Sequence, residues 1–290
     1  MQKVLITGEN GTLASELHNQ LKRREIEIAA YTRTQLDVTQ KQDVKKVTEL
    51  LQPNIIFHCA AKTDVDWCEN HPKQSYLVNT LSAGFVVEAA KRIGAIVVFP
   101  STYYVYAGLN VDVIDDRIHS PELSRITAVY SKHKLLAEEY IKKFGYSKVF
   151  IVRLGSLFGG GKNDKKFVGK ILNLAKSEEK IPVVTDRYIQ PTYVKDIVKN
   201  IFSLLDTKQY GTYNMVAHGI ASFFEYAQAV LMYSKITSVK LIPILANSYE
   251  EFAPRSQKLY AINGKLKVLG LDLMRDWRIA LNEYLTETVF

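Results

Sequence analysis

The chain has 290 residues, 47% hydrophobic and 23% charged, the balance of an ordinary globular protein of one large domain or two small ones. No apolar run approaches the roughly 18 residues that a membrane span needs, and two cysteines exclude a disulfide framework. The formal charge of +8 favours anionic partners, but there is no long basic block and no nucleic-acid-binding motif, so an anionic cofactor and substrate are expected in place of nucleic acid.

"KVLIT" is a short β-branched apolar run and reads as the first strand. It begins so near the first residue that no signal peptide is expected, and the protein is read as cytoplasmic. "LASELHNQLKRR" has helical spacing, with Leu13, Leu17 and Leu21 on one stripe. "EIEIAAY" reads as a second strand, and "VKKVTELLQ" as a helix stopped by Pro53. "IIFHCAA" reads as a buried strand. "YLVNTLSAGFVVEAAKRIG" reads as one long helix closed by Gly94. "AIVVFPS" is another strand, followed by a helix through "VYSKHKLLAEEY" and a strand in "KVFIVRLGSLFG". Continuous apolar strands alternating with helices predict an α/β fold: a doubly wound, Rossmann-type parallel sheet covered on both faces. After Gly159 the alternation loosens, which predicts a smaller C-terminal substrate-binding lobe. The expected division is 1–155 with about 190–215 for the dinucleotide, and about 156–189 with 216–290 for the substrate.

"TGENGTLASEL" follows the first strand and opens the first helix, in the pattern Gly8-x-x-Gly11-x-x-Ala14. Gly8 allows the tight turn, Gly11 lets the backbone approach a pyrophosphate, and Ala14 lets the helix pack close to the sheet. Asn10, Thr12 and Leu13 complete this loop, and the helix start supplies free N–H groups for phosphates. At the end of the second strand, in "AAYTRTQLDV", no acid occurs before Asp37, while Arg33 stands where a 2′-phosphate would lie. NADPH is therefore expected over NADH, with Asp37 and Val38 near the adenine.

His58, Cys59, Cys68 and His71 raise the question of a metal. Neighbours in a strand point to opposite faces, which opposes shared ligation by His58 and Cys59; no metal is expected, and Cys59 also reads as a small core residue.

The strand ending "FPSTYYVYAG" brings Ser101 and Thr102 to the carboxyl edge of the sheet, where doubly wound folds bind ligands. Tyr130 and Lys134, four residues apart, leave one helix face as neighbours. A hydroxyl at a strand end followed by Tyr-x-x-x-Lys is the signature of short-chain dehydrogenases/reductases, and the chain resembles their extended group. "HCAAKTDVDWCE", "YLVNT", "STYYVYAG", "YSKHKLLAEE", "VRLGSLFG", "QPTYVKDI" and "GTYN" fall in the order and spacing of dTDP-4-dehydrorhamnose reductases. "FAPRSQKLY" extends the resemblance more loosely toward the end of the chain.

The resemblance implies reduction of a 4-keto-6-deoxy sugar carried on a nucleotide, for a surface polysaccharide precursor. Tyr130 would be the acid–base group, with its phenol drawn down by the neighbouring Lys134 ammonium. Lys134 would also bind the nicotinamide ribose, and Thr102 would donate to the developing alkoxide. Thr102 has a plainer reading too, as a strand-end hydroxyl capping its own backbone. Cys59, Ala60, Ala61 and Lys62 would line the cofactor channel, with Asn79 supporting it. Thr63, Val65 and Tyr104 would face the sugar, and Asn163 and Arg255 the diphosphate. A homodimer is compatible with this reading.

There are three departures from the family pattern. Tyr103 stands where an Asp is usual, Thr12 and Ala14 replace a Gln and a Gly of the loop, and Ser156 replaces a Trp. Without that aromatic wall there is room for a larger substituent, which makes a UDP-4-keto-6-deoxy-N-acetylhexosamine an alternative substrate. A reading of another class is a non-catalytic NADP-binding subunit similar to the regulatory subunit of methionine adenosyltransferase; the presence of Thr102, Tyr130 and Lys134 opposes it.

Overall fold

The computed structural model describes residues 2–161, 164–248 and 253–288. The chain opens with β1 (Gln2–Thr7), α1 (Thr12–Leu21), β2 (Ile26–Tyr31), α2 (Lys41–Leu51) and β3 (Ile55–His58). Then come α3 (Val65–Asn70), α4 (Pro72–Tyr76), a π-helical turn (Leu77–Leu81) and α5 (Ser82–Ile93). β4 (Ile96–Thr102) leads into a 3-10 turn (Tyr103–Tyr106), the short β5 (Ile114–Asp115), α6 (Val129–Lys143) and β6 (Val149–Leu154). β1, β2, β3, β4 and β6 are joined in one sheet by a later strand, β11 (Gly211–Met215), and every pairing in it is parallel. The strand order is β11-β6-β4-β3-β1-β2.

Alternation along the strands divides the core in two. Val4, Ile6, Phe57, Val98 and Val152 pack with Leu13, Leu17 and Leu21 of α1. Their neighbours Leu5, Ile56, Val97, Phe99 and Ile151 pack on the other face with Val86, Val87 and Ala90 of α5 and Ala137 and Ile141 of α6. β3 and β6 are buried along their whole length, as strands covered on both faces must be. Gly94 closes α5 in the left-handed conformation, φ 74°. Gly84 lets α5 meet α6, since a Cβ there would lie 2.0 Å from the Tyr140 ring.

Two expectations need correcting. The single helix expected through "YLVNTLSAGFVVEAAKRIG" is interrupted by the π-helical turn. That turn carries polar groups with inward partners: Asn79 bonds the Lys62 backbone, and the Thr80 hydroxyl donates to the His133 carbonyl, 2.8 Å. The strand expected through "IIFHCAA" stops at His58, so Cys59 lies just past the sheet edge and not within a strand.

The remaining chain forms β7 (Ser156–Phe158), α7 (Phe167–Leu174), β8 (Lys180–Val184), β9 (Tyr188–Ile189), β10 (Pro191–Tyr193) and α8 (Val194–Thr207) before β11. β12 (Ala221–Ser222), α9 (Phe223–Tyr233), β13 (Lys240–Ile244), β14 (Ala261–Ile262), α10 (Gly264–Val268) and α11 (Trp277–Glu287) follow. α8 returns to the sheet, adding Ile197 and Ile201 to the α1 side of the core. The other strands pair two by two: β7 with β10, β8 with β13, β9 with β12 and β5 with β14. Rings of Phe158, Tyr193, Tyr226 and Tyr284 pack together where α9 and α11 meet β7 and β10. Among the described residues no helix is long and apolar enough to cross a membrane.

Candidate active site

β1 pairs with β2 on one side and β3 on the other, so the chain changes direction across the sheet between β1 and β3. In open parallel sheets ligands bind in the crevice at that point. Two loops flank it. Gly8 turns the first with φ 73°, and it sits so close to the second that a Cβ would lie 2.7 Å from Ala60 Cα. Gly11 is the N-cap of α1, and no side chain caps that end. The first intrahelical bond is Ser15 N–H to Gly11 O, which leaves the N–H groups of Thr12, Leu13 and Ala14 to a ligand. Asn10 and Gly11 are exposed and Leu13 is buried in the core. A dinucleotide fits this cradle: bare donors, a dipole end and no carboxylate in the first helical turn.

Arg33 is exposed beyond the end of β2. Asp37 holds a turn together. Its Oδ1 accepts from the Thr39 N–H (3.0 Å) and hydroxyl (2.7 Å), fixing the chain before α2. Val38 is buried beside it. Across the crevice, Cys59 is half-buried, and burial pushes its thiol up to about 12, so it stays protonated. The Ala60 N–H donates to the Thr7 hydroxyl oxygen, 3.2 Å. Asn79 clamps Lys62: Oδ1 accepts from the Lys62 N–H (2.9 Å) and Nδ2 donates to its carbonyl (3.0 Å). The Lys62 ammonium lies 4.6 Å from the Trp67 ring centre, and Ala61 is exposed.

Thr102 ends β4. Its hydroxyl oxygen accepts from the Tyr104 N–H at 3.3 Å, so it does cap its own backbone. Capping uses a lone pair only, and the hydroxyl proton remains available to an oxygen in the crevice. Ser101 points elsewhere, donating to Glu138 at 2.6 Å. Tyr130 lies in the first turn of α6, and Lys134 one turn on is buried. Burial draws the Lys134 ammonium down to about 7, opposed by the negative charge of Glu138. It lies over the Phe99 ring, 3.9 Å from the centroid.

The expected depression of the Tyr130 phenol by Lys134 is not found. Burial pushes that phenol up, with Cys68 and Tyr104 adding to the effect. The reason is placement. The ammonium faces Phe99, while the half-buried phenol is in surroundings that oppose its ionisation. A phenol held neutral is a proton donor, the role that a carbonyl reduction requires.

On the far side, the Tyr104 hydroxyl is 3.5 Å from Ser156 Oγ. Tyr103 is fully buried, its ring tilted against Tyr104 at 4.5 Å. Thr63 is exposed, with its hydroxyl 3.4 Å from the Lys166 ammonium, and Val65 begins α3 half-buried. Arg255 is paired with Asp66 at 2.9 Å, joining the C-terminal segment to α3. Asn163 lies outside the described residues. No three His, Cys, Asp or Glu side chains gather as a metal ion would require among the described residues.

Two groups escape a reading of the sequence. Glu138 continues the four-residue stripe of Tyr130 and Lys134, and that spacing is its signal. Buried with no exposed surface, it takes both a 2.5 Å and a 3.0 Å bond from Arg153, whose Nη1 reaches the Tyr106 hydroxyl. His58 is the other, a polar residue inside the apolar run "IIFHCA".

The chain is similar to several known proteins. SpsK of Bacillus subtilis, a spore coat polysaccharide biosynthesis protein, is 32% identical over 99% of this chain and 98% of its own length. The dTDP-4-dehydrorhamnose reductase of Mycobacterium tuberculosis is 28% identical over 97% of this chain and 91% of that protein. The crystal structure of the dTDP-4-dehydrorhamnose reductase from Bacillus anthracis, in complex with NADP, has a TM-score of 0.92 and 32% identity, covering 99% of this chain and 100% of that one. UDP-glucose 4-epimerase of Thermus thermophilus, at 18% identity and a TM-score of 0.82, shares the fold. The RmlD substrate binding domain model matches residues 1–290, and the chain belongs to that family.

Proposed function

We propose that this protein is an NADPH-dependent reductase that converts the 4-keto group of a nucleotide-activated 4-keto-6-deoxy sugar to a hydroxyl, supplying a surface polysaccharide precursor. The observation that carries the reading is the neutral, half-buried Tyr130 phenol one helical turn from the buried Lys134, in a fold whose first helix opens uncapped after a glycine loop. Family membership and relatives named dTDP-4-dehydrorhamnose reductase support it, as does the Bacillus anthracis structure with NADP.

When bound, NADPH supplies the hydride. The N–H groups of Thr12 and Leu13 would hold its pyrophosphate, with Gly8, Asn10 and Gly11 shaping the turn, and Arg33 would meet its 2′-phosphate. Asp37 and Val38 would border the adenine, and Cys59, Ala60, Ala61, Lys62 and Asn79 the nicotinamide side. Tyr130 donates its phenolic proton to the sugar C4 oxygen. Thr102, fixed by its bond from Tyr104 N–H, donates a hydrogen bond to the same oxygen as charge develops. Lys134 would bind the nicotinamide ribose, as the resemblance implies. Thr63, Val65, Tyr104 and Ser156 would contact the sugar, and Arg255 the diphosphate. In this reading 1–155 with about 190–215 binds the dinucleotide, and about 156–189 with 216–290 the substrate. A homodimer belongs to the same reading, and a cytoplasmic location is proposed with it.

NADPH oxidation on adding dTDP- or UDP-4-keto-6-deoxy sugars tests the proposal. Turnover with one of them is expected, and Tyr130→Phe should lower kcat by about 10²- to 10⁴-fold while NADPH still binds. NADPH binding with no turnover on any ketosugar would favour the non-catalytic subunit instead.

A further inference from the structure

We infer that His58 is a positioning residue for the cofactor: its neutral imidazole, protonated on Nε2, fixes the separation of the two loops that flank the crevice. The inference rests on reading that crevice as the dinucleotide site.

The bond directions follow from counting protons. The Ser82 hydroxyl has one proton and gives it to the Val78 carbonyl, 2.7 Å away. Ser82 Oγ must therefore accept from His58 Nε2 at 2.9 Å, so Nε2 carries a proton. Burial holds the imidazole neutral, its pKa drawn down to about 3, and the Lys134 charge adds to this. Nδ1 is then bare and accepts from the Thr7 hydroxyl at 2.9 Å. With its proton committed, Thr7 Oγ1 accepts from the Ala60 N–H at 3.2 Å. One directed chain thus runs from Ala60 N–H through Thr7, His58 and Ser82 to Val78 O.

Its members border both loops of the cofactor channel. Thr7 is the last residue of β1, directly before Gly8, and Ala60 belongs to the opposite loop. Val78 precedes Asn79 in the π-helical turn, and Asn79 holds the backbone of Lys62 in that same opposite loop. His58 itself is 2% exposed, and its ring stacks on Phe99, centroids 6.0 Å apart, against the same ring that Lys134 covers. The imidazole is placed behind the loops, where it touches neither substrate nor cofactor and acts through Thr7.

The two arms separate by substitution. In His58→Asn a carbonyl oxygen lies near the Nδ1 position and keeps an acceptor for Thr7. In His58→Gln an amide N–H lies near the Nε2 position and keeps the Ser82 bond, but Thr7 loses its acceptor. NADPH binding is titrated first with the wild-type protein by the enhancement of NADPH fluorescence; no binding there would overturn the dinucleotide reading itself. Given binding, His58→Gln is expected to raise the Kd for NADPH about tenfold, the loss of one buried hydrogen bond, with His58→Asn close to wild type. In the wild-type protein the ring ¹⁵N resonances of His58 should show Nδ1 unprotonated and Nε2 protonated. Equal Kd values in all three proteins, any other ranking of the variants, or a protonated Nδ1 would overturn the inference.

Discussion

Two buried polar networks flank Lys134, and they are built on different principles. The one through Thr7, His58 and Ser82 is neutral; each of its members has a partner, and its bonds run in one direction. The one through Ser101, Glu138, Arg153 and Tyr106 carries a full ion pair with side chains 5% and 0% exposed, and it continues through the Tyr106 hydroxyl to Asn214. A neutral network is inexpensive to bury and holds geometry. A charged one loses much of its Coulomb gain to desolvation, but it sets the local potential. Here Glu138, one turn from Lys134, is the group that keeps the buried ammonium from losing its charge still more readily. The difference teaches that the loops beside β1 and β3 are held by shape and α6 by charge.

The sharpest break of the comparison is to remove one member of the ion pair. Arg153→Met leaves Glu138 buried and uncompensated, and should destabilise the fold by about 3–5 kcal/mol. Adding Glu138→Met should recover most of that loss, because both charges are then gone; denaturant midpoints of the two variants decide it. The neutral side should respond to acid instead. His58 has its pKa lowered from 6.5 to about 3, so its contribution is full above pH 6.5 and is lost as pH falls toward 3. At pH 5 the wild type should have lost about 2 kcal/mol relative to pH 7 through this group. His58→Asn should lack that component, read from denaturant midpoints at the two pH values. The smallest effect is on the rate profile. Glu138 raises the Lys134 value, so Glu138→Gln should move the alkaline limb of kcat to lower pH, by up to about one unit; an unmoved limb would separate Glu138 from the chemistry.

What the sequence made legible follows the same division. The glycine turn after β1, the parallel sheet and the Tyr130–Lys134 spacing are local patterns: turn chemistry, strand runs and one helical turn. The networks behind them are not local. His58 meets Thr7 and Ser82 across 51 and 24 residues, and Arg153 meets Glu138 from the next strand. Such pairings depend on the three-dimensional register of the sheet, which no period in the chain announces. The same limit applies to the Tyr130 phenol. Spacing predicts that Lys134 is near, but its ammonium turns to the Phe99 face, and burial decides the direction of the shift. Asp37 shows the reverse case, where a residue assigned to a ligand also closes a turn through Thr39.

The π-helical turn at Leu77–Leu81 has a consequence for inheritance. Such a turn holds one residue more than the same length of α-helix. Deleting a single residue there would let the flanking helical segments join as regular α-helix with their frames nearly kept. What would be lost is the bulge from which Asn79 reaches Lys62 and Ser75, and Thr80 reaches the His133 carbonyl. A shortened helix could still pack, but without those bonds.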